Sequence, residues 1–260
     1  MPNVTVVKVG GSTLGANDTS LEDLASLWRE GRRLVVVHGG GSTLSEWLRI
    51  HGVESRFVRG LRVTDRAAID VAVAVFAGLV NTELVARLNS LGASALGLSG
   101  VDGALIRAER LDPELGFVGR VRDVDRAQIE ALLDAGYLPV IASLAVEVEG
   151  ELLLAQALNV NADTVAGDVA AALEAERLIF LTDVPGVLDA AGKRLPWLSR
   201  VEALRLIDEG VARGGMIPKL EAALVAAAAG ARTLILDGRE PHALREALSG
   251  AARGTLIAPA

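Results

Sequence analysis

The sequence predicts an α/β fold built on a mainly parallel central sheet. Short apolar runs alternate with helical patterns along most of the chain. The first two of these runs end in glycine clusters, as strand ends do where a sheet opens toward a ligand. Aromatic residues make up only 3% of the chain, so the core must be built from Val, Leu, Ile and Ala. Such residues suit strands buried on both faces.

Val4 to Val9 reads as a buried strand ended by Gly10-Gly11, and Ser20 to Glu30 as a helix. Leu34 to Val37 is a second strand, ended by His38 and Gly39, Gly40 and Gly41; a helix follows from about Ser42 to His51. This opening predicts parallel strands joined by right-handed crossovers. Gly52 to Val63 reads as a hairpin carrying Arg56, Arg59 and Arg62. Thr64-Asp65 caps a long helix, Arg66 to Leu91, whose middle from Ile69 to Phe76 is apolar all round except for Asp70. A helix of that kind is buried on more than one face. One face is expected against the sheet and the other against a second subunit, giving a homodimer.

Ala93 to Leu98 is a strand, Ala104 to Arg122 reads as antiparallel pairs at one edge, and Arg126 to Ala135 is a helix. Leu138 to Ala142 is a buried strand, and Val146 to Leu154 a hairpin. Thr164 to Ala175 is helical, and Arg177 to Leu181 is a strand followed by a turn and short return strand at Val184 to Leu188. Ser199 to Glu209 is a helix and Gly210 to Gly215 a connection. Pro218 opens a helix to Ala229, Thr233 to Leu236 is a strand, and Pro241 to Leu248 is the last helix. Any division into two lobes falls near Glu174.

A chain of 260 residues fits one large α/β domain or two closely packed lobes. Acidic residues outnumber basic ones, 33 to 26, and the net charge of −7 argues against a nucleic-acid partner. The absence of cysteine excludes disulfides, thiolate catalysis and Cys-ligated metals. No stretch reads as a membrane span, and the chain enters its first strand without a signal peptide, so a cytoplasmic protein is expected. There is no G-x-S-x-G elbow, no G-x-x-x-x-G-K-[ST] loop, and no metal-ligand spacing among His38, His51 and His242. His38 reads as a strand-end packing residue.

Four features resist a purely structural reading. Lys8 sits in a strand of β-branched residues, where an unpaired ammonium is costly to bury; it either reaches into a cleft or snorkels out at a sheet edge. Lys219 falls in a first helical turn, where the dipole opposes a cation unless an anion binds there; a solvated lysine is the alternative. Gly39 to Gly41 offer backbone N–H donors, or simply a tight turn. Asn159-Val160-Asn161-Ala162-Asp163 carries two amides and a carboxylate where one helix cap would suffice.

Taken in order, KVGG (8–11), VHGGG (37–41), GLRVTD (60–65), NVNAD (159–163), TDVPGVL (182–188) and GGMIPK (214–219) resemble the amino acid kinase family. The match spans nearly the whole chain, and the ordered set is far more specific than any one motif. The acceptor motifs are most similar to the members that phosphorylate the side-chain carboxylate of N-acetyl-L-glutamate, using ATP, in arginine biosynthesis. The resemblance implies a three-layer α/β/α sandwich with two lobes: residues 1–174 for the acceptor, with the dimer-forming helix, and 175–260 for ATP. It implies catalytic roles for Lys8, Lys219 and Asp163, with Asp163 orienting both lysines. It places the acceptor at Gly40, Gly41, Arg62 and Asn159. It places ATP at Gly10, Gly11, Asp183, Val184, Pro185, Gly186, Val187, Leu188, Val211, Ala212 and Arg213. Mg²⁺ is expected on phosphates and water, with no metal ligands from the chain. Two other family readings are a kinase for carrier-protein-linked aminoadipate, which Arg49, Arg56, Arg59 and Arg62 would attract, and a non-catalytic amino-acid sensor. Arginine-inhibited relatives carry an extra N-terminal helix; the first strand here starts almost at Met1, so insensitivity to arginine is expected.

Overall fold

The computed structural model of the chain describes residues 4–10, 19–58, 60–250 and 253–259. Its first half contains β1 (Val4–Val9), α1 (Ser20–Arg29), β2 (Arg33–His38), α2 (Gly41–Ile50), β3 (Phe57–Val58), β4 (Leu61–Arg62), α3 (Arg66–Val73), α4 (Asn81–Ser90), β5 (Ala95–Gly100), β6 (Ile106–Arg110), β7 (Gly119–Val124) and α5 (Arg126–Asp134). There follow β8 (Leu138–Glu149), β9 (Leu152–Asn159), α6 (Ala162–Ala172), β10 (Arg177–Thr182), β11 (Trp197–Leu198), α7 (Arg200–Asp208), α8 (Met216–Ala228), β12 (Arg232–Asp237), α9 (Ala243–Ser249) and β13 (Gly254–Ile257).

The main sheet runs β11-β13-β12-β10-β1-β2-β8-β6-β7, with β5 and β9 also paired to β8. Its centre is parallel: β12, β10, β1, β2 and β8 all run the same way. Antiparallel pairing is confined to β12–β13, β6–β7 and β8–β9. One face of the sheet packs against α5, α6, α7 and α8, through residues such as Ile129, Val165, Leu206 and Leu220. The other packs against α1, α4 and α9, through Leu24, Leu88 and Leu244. The predicted three-layer sandwich with a mainly parallel sheet is therefore present. The strand period of two divides β1 between these layers. Val4 and Val6 face α6, and Val7 and Val9 face the opposite layer. Lys8 consequently shares the face of Val4 and Val6.

Several expectations need correction. The strand beginning at Leu138 does not stop at Ala142: β8 continues through Ser143 to Glu149, because Ser143 and Ala145 are buried and pairing passes to β6 and β9. No return strand forms over Val184–Leu188; Leu188 makes only an isolated bridge to Arg194. The short strands β11 and β13 were not expected. The long helix Arg66–Ser90 does meet the length and hydropathy of a membrane span, at a mean hydropathy of 1.8. Its Ala68, Ile69, Ala72, Val75 and Phe76 are instead packed with α2 and β8 in a protein core. The helix is also not regular, since Ala74–Val80 between α3 and α4 is π-helical.

Helices α6 and α8 cross at Gly167. A Cβ on Gly167 would lie 2.7 Å from the Ala222 carbonyl oxygen and 2.9 Å from its Cα. Those are backbone atoms, so no side-chain rotation relieves the clash. Gly167→Ala is expected to force the helices apart and lower stability by about 1–3 kcal/mol, the range for overpacking. Denaturant unfolding checks this, and an unchanged midpoint would show that the crossing is not close-packed.

Candidate active site

The carboxyl ends of the central strands meet the N-termini of three helices, α2, α6 and α8. Asn161 is the N-cap of α6: its side-chain oxygen accepts from the Asp163 N–H at 2.8 Å and the Thr164 N–H at 3.3 Å. The cap leaves Asp163 in the first turn, facing the sheet and only 5% exposed. Lys8 Nζ lies 2.9 Å from Asp163 Oδ1, and Lys219 Nζ lies 3.0 Å from Oδ2. The two awkward lysines of the sequence thus share one carboxylate. Burial alone would raise the Asp163 carboxyl, but the charges of Lys8 and Lys219 and their hydrogen bonds outweigh it and hold it below the usual carboxylate range.

Lys219 is reached differently from the expectation. Helix α8 starts at Met216, not Pro218, so Pro218 is the third helical residue. Proline is tolerated there because the first helical N–H groups have no intrahelical acceptor. Lys219 ends the first turn and sits where the dipole opposes it, an opposition that Asp163 offsets.

A cavity of about 230 Å³ opens beside this triad, lined by Lys8, Gly39–Gly41, Arg62, Asn159 and Asp163 among others. That volume suits one small organic molecule. Arg62 is folded inward over its rim. Its guanidinium donates to Ser55 Oγ at 2.6 Å and Ser45 Oγ at 2.7 Å, and lies 4.6 Å from the Phe57 ring centre. Asn159 Nδ2 donates to Thr64 Oγ1 at 3.1 Å. A Cβ on Gly40 would come within 3.0 Å of the Phe76 ring, so the glycine lets the strand-to-helix turn lie flat against the long helix.

Four of the predicted acceptor residues, Gly40, Gly41, Arg62 and Asn159, line one cavity together with Lys8 and Asp163. Lys219 joins them through Asp163. Among the described residues, the predicted nucleotide residues do not line that cavity. Gly10 follows β1 and is buried. Gly11 and Arg59 fall outside the described residues. Asp183, Val184, Pro185, Gly186, Val187 and Leu188 follow β10, next to β1 in the sheet. The turn is tied down by Arg239 on the Asp183 carbonyl at 2.7 Å, and by the Val187 N–H on Thr255 Oγ1 at 2.8 Å. Val211, Ala212 and Arg213 connect α7 to α8. Val187 and Ala212 both belong to the large buried core on the α6 and α8 side of the sheet, with Val211 packed against it.

Sequence reasoning missed Ser45, Ser55, Thr64, Phe76 and Asn81, which shape the cavity or hold its residues. Only Thr64, inside GLRVTD, carried a signal. His38 was read as packing but is buried in a polar contact, with Nδ1 2.8 Å from the Gly39 carbonyl oxygen and Nε2 2.9 Å from Asn81 Nδ2. Burial pushes it down to about 4, against the Gly39 carbonyl and with help from the Lys8 charge.

Comparison with known proteins bears directly on this arrangement. Residues 3–237 match the model of the amino acid kinase family. The chain belongs to the amino acid kinase family. It is 45% identical over 256 residues to an acetylglutamate kinase of Dehalococcoides mccartyi (strain CBDB1), covering 98% of this chain and 94% of that one. It is 46% identical over 259 residues to an acetylglutamate kinase of Solibacter usitatus (strain Ellin6076), covering 98% and 99%. Among solved structures, smu.665 from Streptococcus mutans UA159 superposes over all of both chains with a TM-score of 0.85 at 32% identity. N-acetylglutamate synthase from Neisseria gonorrhoeae, complexed with coenzyme A and N-acetyl-glutamate, also has a TM-score of 0.85, at 26% identity. That likeness covers 99% of this chain and 59% of the synthase. Shared architecture alone therefore does not select an activity, and the side chains must.

Asp163→Asn would leave two ammonium groups facing each other with no counter-charge. Losing one partner of a buried ion pair costs about 3–5 kcal/mol. A loss near the lower figure is expected in urea unfolding, partly restored by inorganic phosphate. A loss under about 0.5 kcal/mol, the scale of an ordinary surface change, would refute the buried triad.

Proposed function

We propose that this chain transfers the γ-phosphoryl group of ATP to the side-chain carboxylate of N-acetyl-L-glutamate, giving the acyl phosphate and ADP, as a step of arginine biosynthesis. The observation that carries this reading is the Lys8–Asp163–Lys219 triad at 2.9 and 3.0 Å, beside a cavity lined by Gly40, Gly41, Arg62 and Asn159. The curated names of relatives at 45% and 46% identity over nearly the full chain support the same activity.

The chemistry follows from charge. An acceptor carboxylate and an ATP phosphate repel each other, and the reaction brings them into line. A bond forms between the carboxylate oxygen and the γ-phosphorus as the bond to the β-γ bridging oxygen breaks. The triad carries one net positive charge. Its two ammonium groups, with the N–H donors of the glycine turn, stabilise the charge spread over the transferring oxygens. Asp163 acts by holding both lysines in place. The acceptor is already ionised at neutral pH, so no general base is required. Arg62 and Asn159 bind the α-carboxylate side of the acceptor. Gly10, Gly11, Asp183–Leu188 and Val211–Arg213 form the nucleotide side, so that residues 1–174 hold the acceptor and 175–260 hold ATP. The nucleotide enters as its Mg²⁺ complex. Both oxygens of Asp163 already face ammonium groups, a donor set that leaves the ion to phosphates and water. Carrier-linked aminoadipate fits less well, because Ser45 and Ser55 hold Arg62 at the rim of the small cavity and not free on an outer docking face.

The enzyme acts in the cytoplasm as a homodimer through the helix around Ile69–Phe76. One stripe of that helix, including Val73 and Leu79, is left exposed, and Leu96 of β5 is exposed as well. Such an apolar surface fits a second copy of the chain. Sedimentation velocity measures the mass, and a monomer at micromolar concentration refutes the dimer.

An ATP-dependent hydroxamate assay with N-acetylglutamate, N-acetylaspartate and aminoadipate tests the reaction. Product is expected with N-acetylglutamate, and its absence overturns the proposal. In the same assay Lys8→Ala or Lys219→Ala should lower kcat by about a hundredfold or more, since one lost stabilising group costs roughly 3 kcal/mol. Arg62→Ala should mainly raise the acceptor KM. Turnover within tenfold of wild type for the lysine variants, or an unchanged acceptor KM for Arg62→Ala, contradicts the assigned roles.

A further inference from the structure

His38 and Asn81 lie behind the glycine turn, out of the row of groups assigned to substrates. Both are buried, at 2% and 5% exposure. Asn81 Nδ2 lies 2.9 Å from the Val140 carbonyl oxygen and 2.9 Å from His38 Nε2. A carbonyl can only accept, so the amide group facing Val140 must be the NH₂. Its other hydrogen then points at His38 Nε2, which must be the acceptor. The ring proton is therefore on Nδ1, where it donates to the Gly39 carbonyl at 2.8 Å. The neutral ring that this requires agrees with the downward push that burial gives His38.

The Gly39–Gly40 peptide is trans, since the described residues contain no cis bond. In a trans peptide the N–H points opposite to the C=O. With the Gly39 C=O drawn toward His38, the Gly40 N–H is turned the other way, toward the cavity that Gly39, Gly40 and Gly41 line with Lys8. Among the described residues nothing accepts from that N–H.

The surroundings are built to hold Asn81. A Cβ on Gly97 of β5 would collide with the Asn81 side-chain oxygen, so the glycine makes room for the amide. The π-helical segment Ala74–Val80 ends immediately before Asn81. Phe76 and Val80 within it press on the back of Gly40, and Asn81 follows at the helical position that reaches His38. Irregular π turns of this kind are frequent at functional sites.

We propose that Asn81 and His38 form a positioning relay: Asn81 fixes the tautomer of His38, and His38 fixes the Gly39–Gly40 peptide so that the Gly40 N–H is presented to an oxygen of the acceptor or of the transferring phosphoryl group. The relay rests on the reading above that Gly40 binds substrate. Neither side chain touches substrate. It works through the backbone, and a misplacement of about 1 Å at such a donor lowers turnover by about a hundredfold.

Two measurements test the relay separately from the choice of acceptor. Long-range proton–nitrogen NMR of the wild-type protein reads the His38 tautomer. A neutral ring protonated on Nδ1 is expected; a ring protonated on Nε2, or a charged ring at neutral pH, overturns the relay whatever the enzyme phosphorylates. Kinetics then read its effect. His38→Leu should lower kcat/KM for the acceptor by about ten- to a hundredfold, with the KM for ATP nearly unchanged. His38→Asn keeps a donor near the Nδ1 position and should recover most of that loss. Asn81→Leu should lower the same parameter, and the double variant His38→Leu/Asn81→Leu should be no worse than His38→Leu alone. Equal losses in His38→Asn and His38→Leu that track a fall in Tm mark a packing role and overturn the relay. Additive losses in the double variant overturn it as well. Absence of turnover with N-acetylglutamate in the wild type overturns the acceptor assignment and leaves the NMR result to decide the relay.

Discussion

One carboxylate sets the geometry of this molecule. Asp163 is 5% exposed and faces two ammonium groups that arrive from opposite directions in the sequence, one on the first strand and one on the eighth helix. A buried charge of this kind contributes little to stability, because desolvation opposes the Coulomb gain. What it supplies is position. Lys8 must fall on the α6 face of β1, which the alternation Val4, Val6, Lys8 guarantees. Lys219 must approach within a hydrogen bond of the same carboxylate, which needs α6 and α8 closer than two ordinary helices. Gly167 is one turn beyond Asp163, and Ala222 lies three residues beyond Lys219. The small pair meets where the helices must touch for the ion pair to close.

The same corner collects the N-termini of α2, α6 and α8. Each offers a partial positive charge, although Asn161 already takes the Asp163 and Thr164 N–H groups of α6 and the Met216 and Ile217 N–H groups of α8 go to the Arg213 and Gly214 carbonyls. Together with the net charge of the triad they make a pocket for anions, consistent with a reaction that joins two negatively charged reactants. The arrangement also explains why a kinase site can lack a catalytic histidine. His38 is in the neighbourhood, but it is buried, neutral and committed to the backbone. Positioning and charge suffice when the nucleophile is already ionised.

Much of this was legible in the sequence, for physical reasons that differ by element. Strand β1 was bounded correctly because β-branched residues end sharply at glycine. The cap at Asn161 was legible because few residues compete for that role. The pairing of Lys8 and Lys219 with Asp163 was not readable from any local pattern; three motifs far apart in sequence had to be recognised as one set. Strand β8 ran past its expected end because Ser143, polar in isolation, is buried with its neighbours where pairing passes to other strands. The start of α8 was misplaced because proline is accepted anywhere in the first turn, so Pro218 marked the turn without marking its first residue. The π-helical segment has no sequence signature. It is composed of Ala, Val, Phe, Gly and Leu, residues as compatible with an α-helix, and only the close approach of Gly40 to Phe76 and Val80 gives it a purpose.

That segment shows how a shared fold acquires its own acceptor. Lys8, Asp163 and Lys219 sit on β1 and the starts of α6 and α8, around a buried carboxylate. The acceptor cavity is closed instead by the two-stranded hairpin β3–β4, the glycine turn and the long helix. Arg62 reaches it from the hairpin, held by Ser55 and Ser45, and Phe76 backs it from the π-helical segment. The hairpin pairs apart from the main sheet, while the long helix packs against α2 and β8. A kinase and a synthase can superpose with a TM-score of 0.85 and still differ in chemistry. In this chain the inward turn of Arg62 and the small size of the cavity it closes both favour a free, compact dicarboxylic acceptor over one tethered to a carrier.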